Sequence, residues 1–275
     1  MKSIIKSALL ALIALQSVFC FAQKTQQYKF KMLGNKIFLE TFLNGKGPYQ
    51  FMFDSGASGI GRLDIVVVKS LQLKDAGEVE NSDGHNTKTE KLAGLDSIRV
   101  GDVKLKNVKI MYRDYNLNPG QTRVDGIIGI DFFKNYVITI DFPNGVLELS
   151  KAHLSPKDEG VVAYQKPFEV YGTIGSVSCL FKFDTGSFVT FHLPEKVVNQ
   201  VNHQPTGKKM SARRANTTFE LKETVLEVPI AFGGKSFKNE KVVYSSLATW
   251  VNVGSAFLKH HKISFDQQRK LIRIQ

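Results

Sequence analysis

The chain has 275 residues and a formal net charge of +12, and 43% of its residues are hydrophobic. This length fits one large β domain or two small lobes, and it is enough to bury a core without disulfide bridges. No nucleic-acid motif or aromatic interleaving accompanies the basic residues, so we expect a solvated basic surface and no nucleic-acid partner. The Cys and His residues lack the spacing of a metal site, so we expect no bound metal.

The N-terminal segment, residues 1–22, has the pattern of a secretory signal peptide. Two lysines precede an apolar run that ends in Cys20-Phe21-Ala22, with small residues where a signal peptidase reads them. We expect cleavage after Ala22 and an exported protein, periplasmic or extracellular. Lipidation of Cys20 is a less favoured alternative, because the bulky Phe19 precedes it. No later apolar run approaches the roughly 20 residues of a membrane span, so no span is expected.

Short apolar runs between turn residues predict a mostly β chain. Residues 44–48, with the sequence Asn-Gly-Lys-Gly-Pro, form a turn between the first two runs, and the last pair of runs in each half has the pattern of a hairpin. Two segments, residues 63–71 and 193–201, are candidates for short helices. In chain order, the predicted strands lie at residues 37–39, 49–53, 98–100, 108–112, 137–140, 146–149, 263–266 and 271–274.

The same order of motifs occurs twice along the chain at a nearly constant separation. One such coincidence would mean little, but several in register indicate an internal duplication. A polar connector at residues 151–160 separates the two copies, which predicts an N-terminal lobe at residues 23–150 and a C-terminal lobe at residues 151–275. The matching segments are residues 51–56 with 181–186, 100–101 with 232–233, and 127–133 with 252–258.

Two Asp turns stand at equivalent places in this duplication. Asp54-Ser55-Gly56 and Asp184-Thr185-Gly186 each follow an apolar strand, which carries the carboxylate into a dry environment. A buried carboxylate is costly unless its charge is shared or hydrogen-bonded. If the lobes pair about a pseudo-twofold axis, the two carboxylates face each other, share a proton and titrate as a pair.

A proton-sharing pair of carboxylates can perform general acid–base chemistry. One carboxylate takes a proton from water while the other protonates a carbonyl oxygen; this arrangement is a standard worked case of pKa tuning in aspartic proteases. A single Asp-Ser-Gly would be an ordinary turn. Two copies in matching places instead predict a catalytic dyad of Asp54 and Asp184.

The motifs around these turns resemble the pepsin and retropepsin superfamily of aspartic peptidases, and look closest to its bacterial exported, retropepsin-like members. The resemblance rests on the sequence from Asn44 through Asp54-Ser55-Gly56 to Ser58, and on residues 125–133. It implies an all-β, bilobal, pepsin-like fold with few short helices. It also implies that an apolar pair followed by Gly supports each turn from behind, as at residues 127–129. In the second lobe a polar residue, Asn252, stands where the family usually has an apolar one.

The resemblance also implies roles for the residues of the turns. Asp54 and Asp184 would hold the lytic water, Ser55 and Thr185 would cross-link the turns by hydrogen bonds, and Gly56 and Gly186 would leave room for the substrate backbone. A peptide or protein substrate would lie extended in the cleft, and no metal or organic cofactor is implied. The segments 82–89 and 207–217 are candidate flaps over that cleft. Since one chain supplies both turns, we expect a monomer.

Two other functional interpretations of the sequence compete with that of an aspartic endopeptidase. A serine hydrolase is disfavoured because Phe53 stands where its nucleophile motif needs Gly, and the chain has no G-x-S-x-G elbow. The second is a non-catalytic peptide-binding or envelope scaffold protein that has kept the fold. The presence of both Asp residues argues against this reading without excluding it. After the signal, Cys179 is the lone cysteine, and we expect it to be a small buried hydrophobe.

Overall fold

Short strands form nearly all of the regular structure, as the sequence predicts. The computed structural model describes residues 25–116, 122–166, 168–214 and 216–275. The strands are β1 (Gln26–Lys29), β2 (Lys31–Leu33), β3 (Lys36–Leu43), β4 (Lys46–Asp54), β5 (Gly61–Asp64), β6 (Asp75–Ser82), β7 (Thr87–Val100), β8 (Val103–Arg113), β9 (Gly126–Gly129), β10 (Val137–Asp141), β11 (Val146–Ser150), β12 (Val161–Ala163), β13 (Glu169–Ile174), β14 (Val177–Asp184), β15 (Phe191–Pro194), β16 (His203–Arg213), β17 (Thr218–Leu226), β18 (Ile230–Phe232), β19 (Lys235–Phe237), β20 (Lys241–Ser245), β21 (Val251–Gly254), β22 (Lys262–Asp266) and β23 (Leu271–Ile274).

The helices are few and short. Both segments predicted to hold a helix contain one, namely α1 (Ile65–Ser70) and α2 (Glu195–Val198). Helix α1 begins where the side chain of Asp64 accepts a hydrogen bond from the backbone N–H of Val66, at 2.9 Å, which satisfies one of the free N–H groups of the first turn. The sequence did not indicate the short helices that follow β9 and β21. These are a 3₁₀ helix (Ile130–Phe133) and α3 (Ser255–Leu258).

Two large sheets repeat one strand order, so the predicted all-β, bilobal fold is confirmed. The first-lobe sheet runs β2-β3-β4-β9-β5-β8-β7-β6. The second-lobe sheet, followed from its other end, runs β19-β18-β13-β14-β21-β15-β20-β17-β16. From β3 and from β13 onward, the strands correspond one to one. In each lobe the strand that ends at the Asp lies parallel to a Gly-ending strand, β4 with β9 and β14 with β21.

A third sheet, here called the shared sheet, joins the two lobes. Its order is β1-β11-β10-β22-β23-β12, so it takes a hairpin from each half of the chain. The central strands β10 and β22 are antiparallel and pair Thr139 with Ser264, whose hydroxyl oxygens lie 2.8 Å apart. The sequence predicted the two hairpins but not this pairing between them, which makes one continuous sheet across the pseudo-twofold axis.

Buried aromatic and aliphatic side chains form one cluster that runs through both lobes. Phe51 and Phe53 of β4 and their counterparts Phe181 and Phe183 of β14 are all fully buried. Each such side chain contributes roughly 1.5–3 kcal/mol relative to an exposed position, so burial anchors the strands that carry the two Asp residues. Cys179 is buried and free, as expected.

Some predictions concern parts of the chain that the structure leaves untested. The signal peptide at residues 1–22, including Cys20, lies outside the described residues. The boundary between lobes at residues 150 and 151 stays a prediction. In the part of the chain that the structure describes, no helix has the length and apolar character needed to cross a bilayer.

The glycines that end β9 and β21 are required by close packing. An added Cβ at Gly129 would lie 2.3 Å from the carbonyl oxygen of Gly59, and one at Gly254 would lie 2.2 Å from that of Val189. Both neighbours are backbone atoms, which cannot move aside as a flexible side chain could. The strand behind each Asp turn therefore has to end in glycine.

We predict that Gly129→Ala lowers the free energy of unfolding by about 2–3 kcal/mol, because the new methyl group overlaps a backbone oxygen. Urea denaturation followed by circular dichroism measures this change. Gly94→Ala is the matched control, since Gly94 lies in strand β7 and an added Cβ there meets nothing closer than 3.8 Å. Equal effects of the two substitutions would contradict the packing argument.

Candidate active site

The two Asp turns meet where the first-lobe and second-lobe sheets face each other. Asp54 is the last residue of β4 and pairs with Gly129, and Asp184 is the last residue of β14 and pairs with Gly254. Both carboxyl groups are half-buried. Parallel pairing with a glycine-ended strand therefore fixes each Asp in the same way, as the duplication in the sequence leads one to expect.

Four hydrogen bonds tie the two turns together. The backbone N–H of Ser55 donates to Oγ1 of Thr185 at 2.9 Å, and the N–H of Thr185 donates to Oγ of Ser55 at 3.0 Å. Each hydroxyl then donates to the backbone carbonyl of the residue before the opposite Asp, from Ser55 to Phe183 at 3.2 Å and from Thr185 to Phe53 at 3.1 Å. Ser55 and Thr185 are nearly or fully buried, so each hydroxyl is both donor and acceptor in a dry contact.

The glycines of the turns bring the carboxylates together. The backbone N–H of Gly56 donates to Asp54 at 2.8 Å, and that of Gly186 donates to Asp184 at 2.9 Å. An added Cβ at Gly56 would lie 2.7 Å from Oδ1 of Asp184, and one at Gly186 would lie 2.4 Å from Cγ of Asp54. The resemblance implied that these glycines make room for substrate. In the structure the nearest atoms belong to the opposite carboxylate.

The environment of Asp54 favours its protonated form. Burial, the negative charge of Asp184 and a hydrogen bond between the two carboxyl groups raise the pKa of Asp54 to about 7, although the Gly56 N–H and the nearby Arg62 act in the opposite direction. A carboxyl group with this pKa holds a proton through the mildly acidic range. The pair can therefore carry one proton and one negative charge together near neutral pH.

The two sides of the pair differ in their neighbours. Nδ2 of Asn252 donates to Oδ2 of Asp184 at 3.1 Å, an arrangement that stabilises negative charge on that oxygen. Ile127 occupies the equivalent place beside Asp54. The sequence showed only that Asn252 is polar where the family usually has an apolar residue, and the structure gives its amide a direct contact with the carboxylate.

Arg62 is a site residue that the sequence reading missed. It lies on β5, is 8% exposed, and donates from Nη1 to the backbone carbonyl of Ser58 at 3.0 Å and from Nη2 to Oδ1 of Asn81 at 3.5 Å. Its guanidinium group thus links the turn that carries Asp54 to the start of a flap. The duplication offered a signal for it, because His192 stands at the matching place in the second lobe and is also buried.

The two candidate flaps are hairpins whose tips touch. One is the β6–β7 turn and the other is the β16–β17 turn. The backbone N–H of Asn216 and the hydroxyl of Thr217 donate to Oδ2 of Asp83 at 2.8 and 2.9 Å, and Nδ2 of Asn86 donates to the Thr217 hydroxyl at 3.0 Å. Burial acts to raise the pKa of Asp83, but hydrogen bonds from Asn86, Asn216 and other neighbours hold it below its usual range. The contact therefore persists over the ordinary pH range.

We predict that Thr185→Val lowers the free energy of unfolding by roughly 2 kcal/mol. The change keeps the shape of the side chain but leaves the Ser55 N–H and the Phe53 carbonyl without partners in a buried contact. Chemical denaturation measures the loss. Thr41→Val serves as the control, because Thr41 is fully buried and its hydroxyl donates a long hydrogen bond, at 3.5 Å, to the carbonyl of Leu39. If Thr185→Val lowers the free energy of unfolding no more than Thr41→Val does, this account is contradicted.

We predict that Asp54→Asn stabilises the protein at pH 8 and changes stability little at pH 4. The pKa of Asp54 rises from the ordinary 3.8 to about 7 on folding, so the folded state binds the extra proton between these values. The free energy of unfolding of the wild-type protein therefore falls as the pH rises from about 4 to about 7. The Asp54→Asn variant has no ionisable group at this position and does not show that fall. We expect a gain of roughly 2 kcal/mol at pH 8, about half of what the full shift would give, because water at the cleft screens the charge.

Thermal denaturation of both proteins between pH 4 and 8 measures this difference. A wild-type protein whose melting temperature rises relative to that of the variant as the pH increases would contradict the prediction.

Within the described residues, no group of three or more His, Cys, Asp or Glu side chains is arranged to hold a metal ion.

Residues 40–132 match a family model described as aspartyl protease. This segment contains the first Asp turn and strand β9, and Asp184 lies beyond it. A comparison with curated proteins gives no match. This family match and the duplicated all-β fold support a pepsin- or retropepsin-like aspartic peptidase.

Proposed function

We propose that the protein is an aspartic-type endopeptidase that hydrolyses peptide bonds with a water held between Asp54 and Asp184. The observation that carries this proposal is the close approach of the two Asp turns, which Ser55 and Thr185 lock together and in which each turn glycine lies against the opposite carboxyl group. Paired carboxylates that share one proton supply an acid and a base at one point in space. The family match at residues 40–132 supports proteolysis as the type of reaction.

The proposed reaction uses the asymmetry of the pair. Asn252 donates to Asp184, so we assign the negative charge to Asp184 and the proton to Asp54. Asp184 takes a proton from the water while the water oxygen attacks the carbonyl carbon of the scissile bond. Asp54 gives its proton to the carbonyl oxygen, which yields a neutral tetrahedral diol. Asp184 then gives its proton to the amide nitrogen while Asp54 takes a proton from one hydroxyl of the diol, so the C–N bond breaks, a carboxylic acid and an amine are released, and the pair returns to its starting protonation.

The substrate would be a peptide or protein segment in extended form. The flap hairpins β6–β7 and β16–β17 meet at their tips, and an extended peptide beneath them could add to their strands by main-chain hydrogen bonds. On the basis of the N-terminal sequence alone, we also propose that the protein is exported to the periplasm or extracellular space, as in bacterial retropepsin-like members. Because one chain carries both Asp turns, the proposed active form is a monomer.

The alternative proposal is a peptide-binding or envelope scaffold protein that does not cleave. It shares the fold and the cleft, so only turnover separates the two. The unusual polar contact of Asn252 with Asp184 is the feature that makes this alternative worth testing.

Digestion of a peptide library between pH 4 and 8, with products identified by mass spectrometry, tests the proposal. We expect wild-type protein to cleave, with a rate that falls as the pH rises through about 7, where Asp54 loses its proton. Asp54→Asn and Asp184→Asn should each lower kcat at least about 100-fold.

The control variant is Asp96→Asn, which changes an exposed carboxylate of β7 and should leave the rate unchanged. Cleavage that survives in Asp54→Asn would rule out the dyad mechanism. Peptide binding by wild-type protein without any cleavage would favour the scaffold alternative.

A further inference from the structure

The side of the cleft next to Asp184 carries positive charge. On β14, Lys182 lies two residues before Asp184, and before β21, Trp250 lies two residues before Asn252. Alternate residues of a strand share a face, so these side chains lie on the same side as the carboxylate. The pairing of Lys182 with Asn252 brings the two strands into register there. We call Lys182, His192, Arg214, Phe219, Trp250 and Asn252 the second-lobe wall.

Two cations of this wall converge on one indole ring. The ammonium nitrogen of Lys182 lies 4.9 Å from the ring centre of Trp250, and the guanidinium carbon of Arg214 lies 5.9 Å from the same ring. Arg214 also lies 5.5 Å from the ring of Phe219. Cation–π contacts of this kind hold a positive group in place but leave its charge uncompensated.

Neither cation has a carboxylate partner among the described residues. The ion pairs among the described residues involve other lysines and arginines. On the β16–β17 hairpin, for example, Lys209 pairs with Glu220 and Lys222 pairs with Glu195. Arg214 is half-buried, and burial lowers its pKa while the more distant charges of Asp83 and Asp184 oppose that effect. A partly desolvated, unpaired guanidinium gains from an incoming anion.

The remaining members of the wall are neutral and fixed. The ring of His192 stacks on Phe219 with centres 5.7 Å apart, and its Nε2 lies 2.7 Å from the hydroxyl of Ser245. Burial and then the charge of Arg214 lower the pKa of His192 to about 4, so it carries no charge at neutral pH. Oδ1 of Asn252 is buried and has no hydrogen-bond partner among the described residues, which leaves a polar acceptor beside the carboxylate.

The first-lobe positions that match Lys182 and Asn252 are apolar, whereas the one that matches His192 is Arg62, whose guanidinium group is held by Ser58 and Asn81. By the duplication, Met52 corresponds to Lys182 and Ile127 corresponds to Asn252. These two residues pack with Phe38 and Val124 in a separate hydrophobic cluster. The two strands behind the candidate dyad therefore offer different chemistry to a substrate, with the apolar Met52 and Ile127 on the Asp54 side and Lys182 beside an indole ring on the Asp184 side.

We propose that the second-lobe wall is a specificity subsite for an acidic side chain, Glu or Asp, next to the scissile bond, and that the first-lobe cluster takes an apolar side chain. Lys182 and Arg214 would bind the substrate carboxylate through charge-assisted hydrogen bonds, with the aromatic rings packing against its methylene groups. This inference rests on the proposed function, since it assigns a substrate class to the same cleft.

Matched substrates test the subsite by activity. Fluorogenic decapeptides centred on Leu-Glu and Glu-Leu cover both directions of binding, and each is paired with a peptide that has Gln in place of Glu. For one of these pairs we expect kcat/KM to be about tenfold higher with Glu at low salt, and the ratio to fall in 0.5 M salt because charge attraction is screened.

Variants separate the wall from the general positive charge of the protein. Lys182→Met, which installs the first-lobe residue, and Arg214→Gln should each remove most of the preference for Glu. Lys182→Glu should shift the preference to Lys at that position. Lys151→Gln removes a lysine that also lies over an aromatic ring, 3.8 Å from the ring centre of Tyr136 beside the shared sheet, and should keep the wild-type preference.

A binding measurement distinguishes failure of this inference from failure of the proposed function. Calorimetry with the Asp54→Asn variant and the same four peptides requires no turnover. We expect the preferred Glu peptide to bind about tenfold more tightly than its Gln partner. This difference in affinity should disappear in the double variant that carries both Asp54→Asn and Lys182→Met. Asp54-dependent cleavage without a Glu preference would overturn the subsite alone. Absence of cleavage with a retained, wall-dependent Glu preference would overturn the peptidase and support the subsite. Equal or unmeasurable binding of all four peptides would overturn the subsite.

Discussion

The reciprocal hydrogen bonds between Ser55 and Thr185 are the constraint on which the rest of this molecule depends. Each hydroxyl is held by a backbone N–H of the other turn and donates to a carbonyl of the other strand. The contact closes only if both turns have the same shape and approach along one axis. The strand order, the glycine-ended strands behind the turns and the pairing of β10 with β22 all serve to meet that condition. Two carboxyl groups come into contact as a result.

Much of this arrangement could be predicted from the sequence because it is local or repeated. An apolar strand followed by Asp, a hydroxyl residue and Gly is a local pattern, and its repetition at a constant spacing locates the axis without any knowledge of distant contacts. The short helices at residues 65–70 and 195–198 were predicted on the same local grounds. Hairpins that end each half were also predicted, since their turn residues are adjacent in the chain.

What the sequence could not provide are contacts between side chains far apart in the chain. Asn252 differs from its apolar counterpart Ile127, but the sequence alone could not show its contact with Asp184, because the direction of its amide depends on the register of β21 with β14. The contact of Asp83 with Asn216 joins two loops whose tips carry no distinguishing residue. Arg62 was missed because no local motif marks a single arginine in a strand, and its counterpart His192 is found only when the two halves are aligned. In each case the decisive quantity is a distance set by the tertiary fold.

The register of the shared sheet has a consequence for how such a chain can arise and be rebuilt. Val137 pairs with Asp266, Thr139 with Ser264 and Asp141 with Lys262, so the middle residue of β10 faces the middle residue of β22. That is the self-complementary register that two identical strands adopt across a true twofold axis. The joint between the halves therefore has the geometry of a symmetric subunit interface within a single polypeptide. Gene fusion of an ancestral homodimer would produce this geometry directly, and each half could then acquire its own side chains, as Lys182 and Met52 have done, without disturbing the joint.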